Sequence, residues 1–295
     1  MKTEIIEFYA TDGAILNGYI NKSCERTDSI LIQIHGMTSN CFKKRELAVS
    51  NKILGLNIDT LCFNNRGSEI IKYIKKYKDG IKNSVLAGTS YEDVEDAYYD
   101  IKGAIEFVIS LGYKRIYLYG HSLGSTKIVY TYNKLKNEGN TLLNNIKGII
   151  LLSLVDIPGY IKAQSDPKYF KLANEMEKDD RLMELMPKES FIHPISVKTY
   201  LRYIKYNTNI DFARYSKDDD NFEVLNNINI PIFMRWGNVY EMIIRDAINQ
   251  VKFVNSKINN INKDINYIDG ADHSYSGKEE ILSEHIYTFL NKINN

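Results

Sequence analysis

Cysteine is scarce in this chain of 295 residues: Cys24, Cys41 and Cys62 are an odd number, with no C-x-x-C spacing among them. That offers no disulfide framework and points to a reducing compartment, so the expected location is the cytoplasm. Charge of one sign is also lacking. Lys and Arg number 38 against 37 Asp and Glu, a net charge of +1, which argues against a nucleic-acid partner or an anionic membrane surface. Long hydrophobic runs are missing too. The longest, Gly148 to Val155, falls far short of the roughly 20 residues that span a bilayer. The N-terminal stretch MKTEIIEFYATDG carries acidic and polar residues where a signal peptide needs an apolar core. No stable membrane insertion is expected. There is no internal repeat and no low-complexity tract. With 44% hydrophobic and 25% charged residues, the chain is long enough to bury a large core without metal or disulfide staples.

Short apolar runs alternate with helical periodicity. Thr3–Ile20 reads as a hairpin turning at Asp12-Gly13. The runs SILIQIHG, NIDTLCFN (Asn57 to Asn64), RIYLYG, KGIILLSLV, PIFMRWG (Pro231 to Gly237) and Ile265–Ile268 read as strands. Helices are expected over Phe42–Leu54, Tyr91–Leu111, Ser125–Leu135, Glu241–Val254 and Lys278–Leu290. Strands that are apolar throughout, separated by helices, predict a mostly parallel, doubly wound α/β sheet covered on both faces. One stretch breaks the alternation. Residues 157–227 hold helical segments, clearest in PKYFKLANEMEKDDRLMEL and SVKTYLRYIKY, but no buried strand. The expected organisation is a core of residues 1–156 and 228–295 with a helical cap inserted at 157–227.

The sharpest motif is Gly120-His121-Ser122-Leu123-Gly124, which follows the strand RIYLYG and opens the helix STKIVYTYNKL. In that context G-x-S-x-G is a strand-to-helix turn tight enough to strain the serine backbone. Larger side chains at the two glycines would clash with the neighbouring strand and helix. The turn lifts the Ser122 hydroxyl above the C-terminal edge of the sheet, at a helix N-terminus that favours developing negative charge. The bland alternative is a glycine-flanked chain reversal. Ser122 is the candidate nucleophile.

Acyl transfer needs two donors aimed at the oxygen that becomes negative. One would be the backbone N–H of Leu123; the other would come from the loop His35-Gly36-Met37-Thr38-Ser39, from Met37. A plain strand-end turn, with His35 packed in the core, is the alternative. The base should follow the last strand, and His273 does so in the segment Ile268-Asp269-Gly270-Ala271-Asp272-His273. For the acid, a G-x-x-D turn after PIFMRWG would be usual. Here Tyr240 holds the Asp position and the carboxylate comes one residue later, at Glu241. Glu241 is one methylene longer than Asp, which lets it reach; but Asn238 to Glu241 also spells N-x-x-E, a helix-capping pattern. Asp156, at the end of GIILLSLV, is the second candidate acid. Asp272 is expected to brace the loop beside the base.

HGMTSN (His35 to Asn40), FNNRGS (Phe63 to Ser68), GHSLGS (Gly120 to Ser125) and GADHSYSGKEE (Gly270 to Glu280) together resemble the α/β-hydrolase superfamily. RWGN (Arg235 to Asn238) with the GHSLG turn is similar to a branch that includes fungal siderophore esterases. The resemblance implies the α/β-hydrolase fold, with about eight strands, and a structural role for Arg66, although Asn64 stands where Asp is common. It implies a serine hydrolase acting on a small or medium carboxylic ester through an acyl-enzyme, with no metal or organic cofactor. Thioesterase, peptidase and acyltransferase activities use the same constellation, and a ligand-binding protein with slow turnover is a further alternative, motivated by Tyr240. Tyr160, Tyr169, Phe170, Tyr200 and Tyr203 would either line an acyl pocket or pack the cap. The sequence leaves the oligomeric state open.

Overall fold

The computed structural model describes residues 2–205 and 209–294. The first two strands, β1 (Lys2–Tyr9) and β2 (Ile15–Lys22), form the expected hairpin. Gly13 in its turn has φ of 87°, a conformation glycine adopts freely. The chain continues through β3 (Ser29–Ile34), α1 (Lys44–Ile53) and β4 (Asp59–Asn64). A second hairpin follows, β5 (Lys72–Lys78) and β6 (Ile81–Ala87), then α2 (Ala97–Ser110), β7 (Arg115–His121), α3 (Leu123–Asn137) and β8 (Ile146–Leu152). Among the described residues, α-helices come next: α4 (Ile157–Gln164), α5 (Pro167–Lys178), α6 (Val197–Ile204) and the short α7 (Glu223–Asn226). The chain ends with β9 (Ile232–Gly237), α8 (Ala247–Lys257), β10 (Lys263–Ile268) and α9 (Glu279–Asn294).

Eight of these strands build one sheet in the order β1-β2-β4-β3-β7-β8-β9-β10. Pairing is antiparallel from β1 to β4 and parallel from β4 to β10. Strand side chains point alternately to the two faces, and the core divides accordingly. Ile30, Ile32, Ile34, Ile116, Leu118, Ile149 and Leu151 pack with α2, α3 and α8. Leu31, Tyr117, Tyr119, Ile150 and Leu152 pack with Val49 and Ile53 of α1 and with Leu282, Ile286 and Leu290 of α9. Both faces being apolar explains why these strands read as continuous runs rather than alternating ones. Each fully buried Leu or Ile contributes roughly 1.5–3 kcal/mol.

The hairpin β5–β6 lies apart as a two-stranded sheet and was not anticipated. Its turn, Asp79-Gly80, has positive φ at both positions (52° and 77°), the two-residue geometry favoured between antiparallel strands. Apolar alternation is masked there by lysines, and most of β6 is exposed.

Arg66 ties three elements together. Its guanidinium is buried and bonds Asp100 of α2 at 2.7 and 3.0 Å, and Asp12 in the first turn at 3.0 and 3.1 Å. Asp96 lies 3.3 Å away. A buried charge needs such partners, because removing one leaves an uncompensated ion.

Three of the helices between β8 and β9 begin with side-chain caps: Asp156, Asp166 and Ser196 each accept a backbone N–H of the first turn. Helix α5 stops at Lys178 rather than running to Leu185, because Asp180 turns left-handed at φ 58°. Within SVKTYLRYIKY, Tyr206 lies outside the described residues. Helices α4 to α6 share their own apolar cluster with Leu123 and Val94, whereas Phe212, Tyr215, Phe222, Leu225 and Ile228 pack into the main core. Helix α8 begins at Ala247, capped by Asp246, not at Glu241. Glu241 does not cap it, and Asn238 instead bonds Asp269 and the Gly270 N–H. Among the described residues no helix is long and apolar enough to cross a membrane.

Candidate active site

Ser122 sits between β7 and α3 with φ 54° and ψ −123°, a region rarely populated by residues other than glycine and costing on the order of 1–3 kcal/mol. The surrounding backbone over-determines it. A Cβ on Gly120 would come within 2.6 Å of Gly124, and one on Gly124 within 2.2 Å of the Ile34 carbonyl oxygen. The Ser122 N–H donates to Leu152 C=O at 2.8 Å, and the Ser125 hydroxyl lies within hydrogen-bonding distance of the Gly120 and Leu152 carbonyls.

His273 lies in the loop between β10 and α9, and its Nε2 is 3.0 Å from Ser122 Oγ. Its Nδ1 contacts Glu241 Oε1. An ionised carboxylate only accepts, so Nδ1 carries the proton and Nε2 is left to accept from the serine hydroxyl. The loop is held by neighbours. His121 Nε2–H donates to the His273 carbonyl at 2.7 Å, and Arg45 Nη1 donates to Ser274 C=O at 3.2 Å. Asp272 accepts from the N–H groups of Ser274 and Ser276. Burial, reinforced by Arg45, pushes His121 well below the ordinary histidine range, so it serves as a neutral donor.

Tyr240, at the position where Asp would be usual, is 91% exposed and left-handed at φ 48°. That twist turns the next side chain inward. Glu241 Oε1 accepts from His273 and from Met242 N–H at 2.8 Å; Oε2 accepts from the Ser153 hydroxyl at 2.7 Å and Gly237 N–H at 2.8 Å. Burial alone would raise the Glu241 carboxyl, but His273, Ser153 and Gly237 outweigh it and hold it below its usual range. The carboxylate in contact with His273 is therefore Glu241. Asp156 faces elsewhere, accepting from Gly159 N–H at 2.9 Å and Ser216 N–H at 2.8 Å. Ser153 was missed in the sequence; its position at the end of β8, beside β9, is the only signal it carried.

Met37 and Leu123 both line the cavity that Ser122 faces. Neither backbone N–H has a hydrogen-bond acceptor among the described residues. The cavity measures about 870 Å³ and its wall is largely apolar, with Val155, Ile157, Tyr160, Ile161, Tyr169, Phe191 and Met242 facing it. Of the candidate aromatic residues, Tyr160 and Tyr169 line the cavity. Tyr200 and Tyr203 are buried in the apolar cluster of α4 to α6, with Phe170 packed against it.

A mostly parallel sheet with helices on both faces, a strained serine between a strand and a helix, and a histidine after the last strand make up the α/β-hydrolase fold, and this chain has it. No family model matches the sequence, and no curated protein does either; the likeness lies in structure. The fold is similar to Est1E from Butyrivibrio proteoclasticus with bound ferulic acid, at 16% identity over 98% of each chain and a TM-score of 0.68. The α/β hydrolase GrgF from Penicillium sp. sh18 matches over 100% of each chain at 14% identity and a TM-score of 0.70. A soluble variant of monoglyceride lipase from Saccharomyces cerevisiae, in complex with a substrate analog, matches over 99% of this chain and 95% of its own at 14% identity and a TM-score of 0.66.

Proposed function

We propose that the protein is a serine hydrolase that cleaves small or medium carboxylic esters through an acyl-enzyme on Ser122. The reading is carried by one observation: a chain of contacts from Ser122 Oγ through His273 to Glu241, opening on an apolar cavity beside two backbone N–H groups with no acceptor among the described residues. In the first half-reaction Ser122 Oγ attacks the ester carbonyl as its proton passes to His273 Nε2. The carbonyl oxygen becomes an oxyanion that accepts from Met37 and Leu123 N–H. The tetrahedral adduct collapses, the bond to the alcohol oxygen breaks, and His273 returns the proton to that oxygen. Water then gives its proton to His273, attacks the acyl carbon and releases the acid, and Ser122 recovers its proton. Glu241 holds His273 in the required tautomer and stabilises its charged form.

Helices α4 to α6, within the expected insertion at 157–227, serve as a cap over this site, while the end of that insertion, from Phe212 on, packs into the core. Tyr160, Ile161, Tyr169 and Phe191 form an acyl or aryl wall, in keeping with a neighbouring fold that holds ferulic acid. The volume lies within the roughly 300–1,000 Å³ of small-molecule sites, and the chemistry calls on no cofactor. The test is a panel of chromogenic esters and thioesters of graded acyl length, run on wild type and Ser122→Ala, with fluorophosphonate labelling alongside. Turnover and labelling lost in the variant, with an unchanged melting temperature, are expected. Esterase turnover retained by Ser122→Ala overturns the assignment.

A further inference from the structure

Lys127 and Glu92 form an ion pair with no solvent exposure on either side chain, Lys127 projecting from α3, the helix that Ser122 opens. Such a pair gives up hydration on both charges, and an apolar pair of the same volume is often as stable or more so. Stability is therefore a poor account of it, and its contacts suggest another. Lys127 Nζ donates to Asn65 Oδ1 at 3.1 Å. The same oxygen accepts from Gly67 N–H at 3.0 Å, and Lys72 Nζ donates to the Asn65 carbonyl at 3.2 Å. Asn65, fixed in this way, donates its backbone N–H to His35 Nε2 at 3.3 Å and its side-chain amide to the His35 carbonyl at 3.4 Å.

An imidazole whose Nε2 accepts must carry its proton on Nδ1. That Nδ1–H meets the Gly36 carbonyl at 2.9 Å. Burial, reinforced by the Lys127 charge, holds His35 down to about 3, so it is neutral and keeps this tautomer. The Gly36 carbonyl and the Met37 N–H belong to one trans peptide plane and point in opposite directions. Gripping the carbonyl fixes the direction of the N–H. The far side of the loop is gripped as well, since Thr38 N–H donates to Thr89 Oγ1, which donates to the Gly67 carbonyl, both at 2.8 Å. Gly67 itself lies against the Glu92 carboxylate, so closely that a Cβ would come within 2.1 Å.

We infer that Lys127, Glu92, Asn65 and His35 act as one positioning unit that aims the Met37 N–H at the oxyanion. The inference rests on the serine-hydrolase reading above. None of these four residues lines the cavity, and they act on the loop that carries the Met37 N–H, so their effect should fall on the transition state and not on the binding of uncharged substrate.

The experiment exploits side-chain geometry. The Asn amide places a donor near the position of histidine Nδ1, whereas the Gln amide reaches the position of Nε2. His35→Asn can still hold the Gly36 carbonyl; His35→Gln can engage Asn65 but leaves that carbonyl free. Removal of one oxyanion donor typically costs 10²–10³-fold in kcat, and misdirection of a donor that stays in place should cost less. For His35→Gln the expected result is a fall in kcat of about 30- to 100-fold, with KM within about twofold. Affinity for a trifluoromethyl ketone, which forms the oxyanion, should weaken by the same factor. His35→Asn should recover kcat to within about fivefold of wild type. Lys127→Met combined with Glu92→Gln, which removes both charges together, should lower kcat about tenfold with KM unchanged. The inference is overturned if His35→Asn and His35→Gln lose kcat equally, if ketone affinity does not track kcat, or if the double variant keeps wild-type kcat. A double variant that fails to fold leaves the His35 pair to decide. Wild-type protein that neither labels with a fluorophosphonate nor turns over esters instead removes the underlying reading, and the inference with it.

Discussion

Replacing Glu241 with Gln exchanges a carboxylate oxygen for an NH2 group of similar size, and the two backbone N–H groups around it, of Gly237 and Met242, cannot accept from that group. All four contacts of the carboxylate are with donors: His273 Nδ1–H, Met242 N–H, the Ser153 hydroxyl and Gly237 N–H. A glutamine amide offers one acceptor and one NH2 group. If its oxygen faces His273, the NH2 is pressed against Gly237 N–H, which cannot turn away. If its NH2 faces His273, the imidazole must accept at Nδ1, and Nε2 then carries the proton it was to take from Ser122. Either way the base is lost or the pocket is frustrated. The tautomer error alone costs about 10⁴-fold in kcat, about 5.5 kcal/mol at 1.36 kcal/mol per decade. Glu241→Asp, shorter by one methylene, should lose about 10²–10³-fold by pulling away from His273, in the range of one misplaced catalytic contact. The assay is steady-state hydrolysis of p-nitrophenyl butyrate near neutral pH, with melting temperature as the control for folding. Asp156→Asn provides the counter-experiment, because the Asp156 carboxylate accepts from the backbone N–H groups of Gly159 and Ser216 and not from His273. It should cost about 1–2 kcal/mol of stability and leave kcat within about threefold, as changes away from the reacting groups usually do. The reasoning fails if Glu241→Gln keeps more than a tenth of wild-type kcat, or if Asp156→Asn matches its loss.

Other consequences are equally open to measurement. Gly124→Ala drives a methyl group to within 2.2 Å of the Ile34 carbonyl and should destabilise the fold by about 3 kcal/mol or more in urea unfolding; an unchanged midpoint refutes the close approach. Glu241, depressed in the folded state, contributes stability that is complete above the usual carboxylate range and is lost as pH falls through its folded value. The drop in melting temperature below about pH 5 should therefore be shallower in Glu241→Gln than in wild type. Phe191→Ala strips apolar surface from the cavity wall. It should reduce kcat/KM about fourfold for each substrate methylene that the ring no longer covers, at about 0.8 kcal/mol per methylene, with acetate esters affected least.

The parts of the molecule that could be foreseen are those governed by local sterics or period. The parallel sheet announced itself through apolar runs such as SILIQI, and Ser122 through two glycines whose absent Cβ atoms allow backbone contact. Other features depend on groups distant in sequence. Whether Glu241 or Asp156 meets His273 turns on the left-handed twist at Tyr240, which no residue type demanded. Lys127 and Glu92 look like surface residues in a helix and a loop; only the fold buries one against the other. Hairpin β5–β6 was overlooked because its exposed, lysine-rich strands bury too little to show a pattern, although Asp79-Gly80 marked its turn.

Asp156 has a consequence beyond the site. One carboxylate fastens residue 159, where the inserted helices begin, and residue 216, where the chain returns to the main core. The intervening stretch is clasped at both ends by one carboxylate outside the strands, and further bonds run from it to the segment Ser90–Glu95, so its length is uncoupled from strand register. Such an arrangement favours diversification by replacement: a foreign helical segment grafted between those two anchors would meet the same scaffold, and substrate preference could change wholesale while the reacting groups stayed in place.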